Sequence, residues 1–206
     1  FTMPEALTRW QLLGFARGTP PAMKVGNSGQ VVRKAARLAT MGSNVRCDFS
    51  IASALWSTEV DETQITQVFH NLVINARQAM PDGGVVNITA DNVRIDESTA
   101  GELNPGYYVL VSVRDRGCGI PEDKLQRIFE PYFTTRKTGT GLGLATCDAI
   151  IKRHHGRILA RSRVNVGTEF RVYLPACASP VEKDADRAPE QCIRGSGSIL
   201  VVDDQD

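Results

Sequence analysis

Apolar residues recur along the chain with two different periods, and the switches between them divide it into elements. From Asp61 to Met80, residues Ile65, Val68, Phe69, Leu72, Val73, Ala76, Ala79 and Met80 keep helical spacing and predict an amphipathic helix with a broad buried face. Asp61 with Gln64 three residues on predicts a capping box at its start, Asp standing in for Ser or Thr, and Pro81-Asp82-Gly83-Gly84 ends it. Ser28 to Met41 carries Val31, Val32, Ala35, Leu38 and Ala39 on one face and reads as another helix. Leu144 to His155 reads as a third, closed by Gly156, and Pro121 to Phe129 as a short one. The stripe Leu7, Trp10, Leu13 and Phe15, stopped by Gly18-Thr19-Pro20-Pro21, reads as the tail of a longer helix.

Strand-like runs lie at Val45 to Ile51, Val85 to Ala90 and Tyr107 to Val113. Arg157 to Arg163 and Thr168 to Leu174 form a predicted hairpin around Asn165-Val166-Gly167, whereas Glu130 to Gly143 reads as a long loop rich in Gly and Thr. Helices and strands in mixed order, without regular strand-helix-strand alternation, predict an α/β sandwich in which one mixed sheet is covered on one face by helices. From Ala176 to Gly197 the composition turns to Pro, Ser, Ala, Asp and Gly, the mark of a linker. Ile199-Leu200-Val201-Val202 is then a buried-type strand running into Asp203-Asp204.

Composition narrows the classes. With 42% hydrophobic and 23% charged residues in 206, the chain is an ordinary globular sequence, and one domain with ragged ends is the expectation. A net charge of +1 argues against a surface built for nucleic acid. No apolar run approaches the roughly 18 residues of a membrane span, so no membrane contact is expected of this segment. Five cysteines without a Cys-x-x-Cys pair fit a reducing, cytoplasmic setting.

Three features carry chemistry. Beside the apolar stripe of the Asp61 to Met80 helix runs a second one of neutral amides, Gln64, Gln67, Asn71, Asn75 and Gln78. Solvated helix faces normally use Glu, Lys and Arg, and Asn is a poor residue inside a helix, so Asn71 and Asn75 one turn apart need a reason. An amide carbonyl is a hard oxygen ligand suited to Mg²⁺, and its NH₂ can donate to phosphate. Asp115-Arg116-Gly117-Cys118-Gly119-Ile120 follows an apolar strand, placing a carboxylate where it can accept from an exocyclic amine such as that of adenine. Gly139-Thr140-Gly141-Leu142-Gly143-Leu144 opens a helix and offers backbone N–H groups to an anion, yet it is neither a Walker A loop nor a dinucleotide fingerprint. Singly, these have ordinary readings as a solvated face, an Asp-Gly turn and a mobile loop.

Together, and in this order, they are specific. Asn75, Asp115-x-Gly-x-Gly, Ile128-Phe129-Glu130-Pro131-Tyr132-Phe133-Thr134-Thr135 and the Gly-Thr-Gly-Leu-Gly-Leu run resemble the N, G1, F and G2 boxes of histidine-kinase ATP-binding domains. Gly167-Thr168-Glu169-Phe170 resembles the closing Gly-Thr element of the same family, so the likeness spans about Val45 to Pro175. It implies the Bergerat α/β sandwich, with ATP and Mg²⁺ as cofactors. Asn75 would ligate Mg²⁺, with Asn71 supporting the metal and phosphates; these two are the implied catalytic residues. Asp115 would hold the adenine amine, with Gly117, Gly119 and Ile120 shaping the base pocket and Thr168 behind it. Gly139, Thr140, Gly141, Leu142, Gly143 and Leu144 would belong to a mobile ATP lid, hinged on Phe129 and Phe133. Thr135, Arg136 and Lys137 would contact phosphates.

Gyrase-like relatives place a glutamate one turn before the metal-binding Asn, where this chain has Asn71; phosphoryl transfer to a protein histidine is therefore favoured over hydrolysis. Many family members carry a basic residue three positions after the Asn; here Gln78 stands there, and Arg136 or Lys137 is a substitute. The acceptor histidine is expected on a separate dimerisation/histidine-phosphotransfer domain, because His70, His154 and His155 all fall inside the ATP-binding region. Residues 1–20 resemble the end of that domain's second helix, 21–175 the catalytic domain, 176–197 a linker and 198–206 the first strand of a receiver domain. Expected partners are the phosphotransfer domain and a receiver or response regulator. The alternatives are an ATPase of the same superfamily and a non-catalytic nucleotide-binding regulatory module.

Overall fold

The computed structural model describes residues 21–97, 103–136 and 139–177. The expected helix at Leu7 to Arg17 and the strand at Ile199 to Val202 lie outside them. Ala176 and Cys177, assigned to the linker from composition, are tied to the domain: Ala176 N–H donates to Tyr107 O and Cys177 N–H to Ser57 O, each at 2.9 Å.

Five strands form the main sheet: β2 (Val45–Ile51), β4 (Gly84–Ile95), β5 (Gly106–Arg114), β6 (Arg157–Arg163) and β7 (Gly167–Pro175), in spatial order β2-β4-β5-β7-β6. β2 runs parallel to β4 and the other neighbours are antiparallel, giving the mixed sheet expected from the sequence. Helices α1 (Ser28–Thr40), α2 (Glu62–Ala79) and α4 (Gly143–Arg153) pack on one face, α2 between the other two; α3 (Glu122–Leu125) is shorter than predicted. Two short strands that the pattern did not show, β1 (Lys24–Gly26) and β3 (Thr58–Val60), pair as a separate two-stranded sheet. Three residues are too few for a period-2 signal to register.

α2 is the hub. Ile65, Val68, Phe69, Leu72 and Val73 are fully buried with Ile88, Val111 and Val172 of the sheet. Burying each such side chain is worth about 1.5–3 kcal/mol, enough to fix the rotation of α2 about its axis and hence the direction of its amide stripe. Arg77 Nη1 donates to Ala39 O at 3.0 Å, satisfying an end carbonyl of α1 and bracing the two helices.

The start of α2 and the end of α4 differ in detail from what local sequence predicts. Asp61 caps α2 as expected, its Oδ1 accepting from Thr63 N and Gln64 N at 2.9 and 3.1 Å. The reciprocal half of the capping box is replaced: Asp61 N–H donates to His154 Nε2 at 3.0 Å, and Gln64 Oε1 is buried without a partner. α4 ends in a Schellman arrangement, with His155 N–H bonding to Lys152 O and Gly156 N–H to Ile151 O. The left-handed residue is His155 (φ 56), one position earlier than expected. Gly156 is needed instead for close approach, since a Cβ there would lie 2.3 Å from Tyr173 O.

Candidate functional site

Between α2, the ends of β5 and β7 and the loop that leads into α4 lies a cleft of about 610 Å³. Its floor is set by Asp115, one residue past β5 and only 3% exposed. Asp115 Oδ1 accepts from Gly117 N at 2.8 Å and from Thr168 N at 3.2 Å, and Asp115 N–H donates to Thr168 O at 2.9 Å. Both side-chain bonds fall on one oxygen, so the carboxylate is held in a single orientation with Oδ2 left for a ligand. Burial pushes this carboxyl above the usual carboxylate range, against the opposing pull of the Gly117 and Thr168 N–H groups and the Arg136 charge.

Two glycines are required by contacts. At Gly117 a Cβ would lie 2.5 Å from Cβ of Ala79, so its absence lets the Asp115 turn pack on the end of α2, where Cys118 N–H donates to Ala79 O. Gly119 takes φ +71, and a Cβ there would sit 2.2 Å from Arg163 O. Ile120 N–H, held by Ser162 Oγ at 2.7 Å, continues the wall.

The opposite wall is the amide stripe of α2. Asn71, Asn75 and Gln78 line the cleft; Gln64 and Gln67, earlier on the same stripe, do not. Asn71 is 7% exposed and its Nδ2 donates to Gly143 O at 3.4 Å, tying α2 to the first turn of α4. Leu142 is the N-cap residue of α4 without a side-chain cap, and its carbonyl accepts from Thr146 N and Oγ1. The first-turn N–H groups of α4 thus lack intrahelical partners beside the cleft, the usual basis of anion binding at a helix start.

Of the sequence-assigned residues, the cleft brings together Asn71, Asn75, Asp115, Gly119, Ile120, Phe133, Thr135, Arg136, Gly139, Thr140, Gly141, Gly143, Leu144 and Thr168. Gly117, packed on Ala79, and Leu142 are not among the lining residues, and Lys137 lies outside the described residues. Sequence reasoning missed Ile74, Ala79, Ile128 and Phe170, apolar residues of the lining. Ile128 and Phe170 stand inside the F-box and closing Gly-Thr runs, Ala79 on the apolar stripe of α2, and Ile74 carried no signal; none of these separates a core residue from one facing a ligand. Arg127 stacks its guanidinium over the Phe133 ring, 4.6 Å from the centroid, steadying the start of the loop.

Among the described residues no cluster of three or more His, Cys, Asp or Glu side chains forms a metal cage. On the α2 wall the side-chain oxygens are amides, those of Asn71, Asn75 and Gln78, a donor set that fits a small hard cation held mainly by a ligand's phosphates and completed by one or two protein oxygens.

A buried carboxylate facing an amide-lined helix, with a Gly-rich loop running into a helix start, defines an α/β sandwich built to hold a nucleotide. The chain belongs to the histidine kinase-, DNA gyrase B- and HSP90-like ATPase family, whose model matches residues 60–178. It is 36% identical over 181 residues to the sensor kinase CckA of Brucella abortus, covering 81% of this chain and 19% of that protein. It is 34% identical over 168 residues to the sensor histidine kinase ZraS of Escherichia coli, covering 80% and 34%. The chain thus spans about a third or less of these relatives' lengths. Among solved structures, the catalytic domain of the histidine kinase ThkA is 33% identical with a TM-score of 0.60, covering 75% of this chain and 95% of that one. Full-length ShkA in complex with AMPPNP is 25% identical with a TM-score of 0.65, covering 83% and 36%.

Proposed function

We infer that this chain is the ATP-binding catalytic domain of a two-component sensor histidine kinase. It presents MgATP for phosphoryl transfer to a histidine on a dimerisation/phosphotransfer domain, from which the phosphoryl group passes to a receiver aspartate. The observation that carries this reading is the fixed Asp115 carboxylate facing Asn71 and Asn75 across one cleft, in a member of an ATPase family. Asp115 Oδ2 accepts from the adenine amine. Asn75, with Asn71 behind it, offers amide oxygen to Mg²⁺, which when bound neutralises charge on the phosphates. Gly139 to Leu144 and the start of α4 bring N–H groups to the phosphate end, with Thr135, Arg136 and Lys137 nearby in sequence.

Transfer is favoured over hydrolysis because Asp115 is the only carboxylate among the described lining residues, and it is occupied at the base end. Nothing on the α2 wall can take a proton from water; Asn71, an amide, stands where a base would be needed. None of the chain's three histidines lines the cleft, and exposed His155 lies at the far end of α4. His154 is 2% exposed with both ring nitrogens hydrogen bonded, and His70 is half-buried. The domain is read as residues 21–175 with Ala176 and Cys177 tied to it, working in the cytoplasm, with the remaining segments leading to the phosphotransfer and receiver domains. No helix among the described residues is long and apolar enough to cross a membrane.

The test is calorimetric titration with AMPPNP, with and without Mg²⁺, followed by incubation with labelled ATP and a supplied phosphotransfer hairpin domain. Nucleotide binding with label moving to the hairpin histidine is expected. Rapid release of inorganic phosphate without transfer would move the ATPase reading to the front, and binding with neither reaction would favour the regulatory module.

A further inference from the structure

Arg136 is the only Lys or Arg among the described residues that line the cleft. Its backbone N–H donates to Thr134 Oγ1 at 3.1 Å, and its side chain crosses to α2. There Nη1 donates to Asn75 Oδ1 at 3.1 Å and to Gln78 Oε1, while Nη2 donates to the backbone oxygen of Asn75 at 3.2 Å. One guanidinium thus occupies both amides at the C-terminal end of the stripe, and one of the two side-chain oxygens it holds, Asn75 Oδ1, is the one assigned above to the metal.

A guanidinium N–H and a divalent cation compete for one amide oxygen: their like charges repel at contact distance, and an oxygen that gives electron density to a cation is a poor acceptor for a cationic donor. We propose that Asn75 and Gln78 form a latch for Arg136 that a divalent cation must displace, so that Arg136 and metal are mutually exclusive at Asn75 Oδ1. The latch rests on the reading of Asn75 as a metal ligand. Loading is then an exchange: the metal takes Asn75 Oδ1, and the freed guanidinium turns its paired N–H groups to phosphate oxygens, which match its fork. Gln78 is the positioning residue of this device. It touches the arginine rather than the nucleotide, and its acceptor oxygen holds the guanidinium on Asn75 until cation and phosphates arrive together.

Replacing Gln78 with Met keeps the helix and the side-chain length but removes the acceptor. Titrations of the whole chain with AMPPNP plus Mg²⁺, AMPPNP plus chelator, and adenosine compare the parent, Gln78→Met, Arg136→Ala and the double variant, with a thermal melt of each. Gln78→Met is expected to bind AMPPNP plus Mg²⁺ roughly three- to tenfold more tightly, the worth of about one net hydrogen bond. Adenosine affinity stays unchanged, and in the Arg136→Ala background the Gln78 substitution has no effect. Unchanged or weaker binding of AMPPNP plus Mg²⁺ by Gln78→Met overturns the latch, as does a gain that persists without Arg136. Should the parent bind neither adenosine nor AMPPNP, the nucleotide reading itself falls and takes the latch with it; adenosine binding that survives while Gln78→Met changes nothing sinks the latch alone.

Discussion

Asp115 and Thr168, 53 residues apart in sequence, clasp each other twice: Thr168 N–H donates to Asp115 Oδ1 at 3.2 Å, and Asp115 N–H donates to Thr168 O at 2.9 Å. The clasp joins the end of β5 to β7 and aims the carboxylate. Asp115→Asn can keep an oxygen toward Gly117 and Thr168 but turns its NH₂ toward the ligand, setting donor against donor. Adenosine binding is expected to fall at least tenfold, the scale of a lost charge-assisted hydrogen bond, with little change in melting temperature. Equal adenosine affinity in a calorimetric comparison would remove Asp115 from base recognition.

Acid should weaken nucleotide binding earlier than an ordinary carboxylate predicts. Burial, the largest influence on Asp115, raises its pKa above the ordinary aspartate value of 3.8, and the form that accepts from an amine is the ionised one. Affinity is therefore present above the raised value and lost as pH falls through it. Folding responds with the opposite sign: a folded-state pKa above the unfolded one makes this group's contribution most favourable at low pH and loses it as pH rises through the folded value. A pH series of adenosine titrations checks this, and a midpoint at or below 3.8 contradicts it.

His154 ties the end of α4 to the start of α2. Because Asp61 N–H donates to Nε2, the ring proton sits on Nδ1 and is given to Ile150 O at 2.8 Å. His154→Ala strands a donor and an acceptor and opens a cavity, and should cost about 2–4 kcal/mol in urea unfolding. A loss below about 0.5 kcal/mol would mean that solvent replaces both bonds.

Glycines of the two nucleotide boxes should separate by variant. Gly119→Ala forces a Cβ into Arg163 O at φ +71 and is expected to lower stability by more than about 1 kcal/mol. Gly143, at the first turn of α4, has no atom within 4 Å of a Cβ, so Gly143→Ala should leave stability unchanged or raise it by up to about 1 kcal/mol. Its nucleotide affinity should nonetheless drop, because the added methyl stands at the cleft. Thermal melts paired with AMPPNP titrations decide both.

The sequence by itself determined the mixed sheet, the three long helices and most of the cleft. Periodicity decides which face of α2 packs on the sheet, and the wasteful use of Asn at 71 and 75 marks the face that turns to the cleft. The G1, F and G2 runs identify the family because turns and close backbone approaches demand particular residues locally. Tertiary structure alone decided where long-range partners spend the polar atoms. Asp61 keeps its cap, but its own N–H goes to His154, 93 positions further along the chain, rather than to Gln64. Gly156 serves packing against Tyr173 while His155 takes the left-handed position, and Arg136 settles on Asn75 and Gln78. Local preference is written in neighbouring residues, whereas a hydrogen bond across the fold depends on which groups packing brings within 3 Å of each other, and no spacing records that.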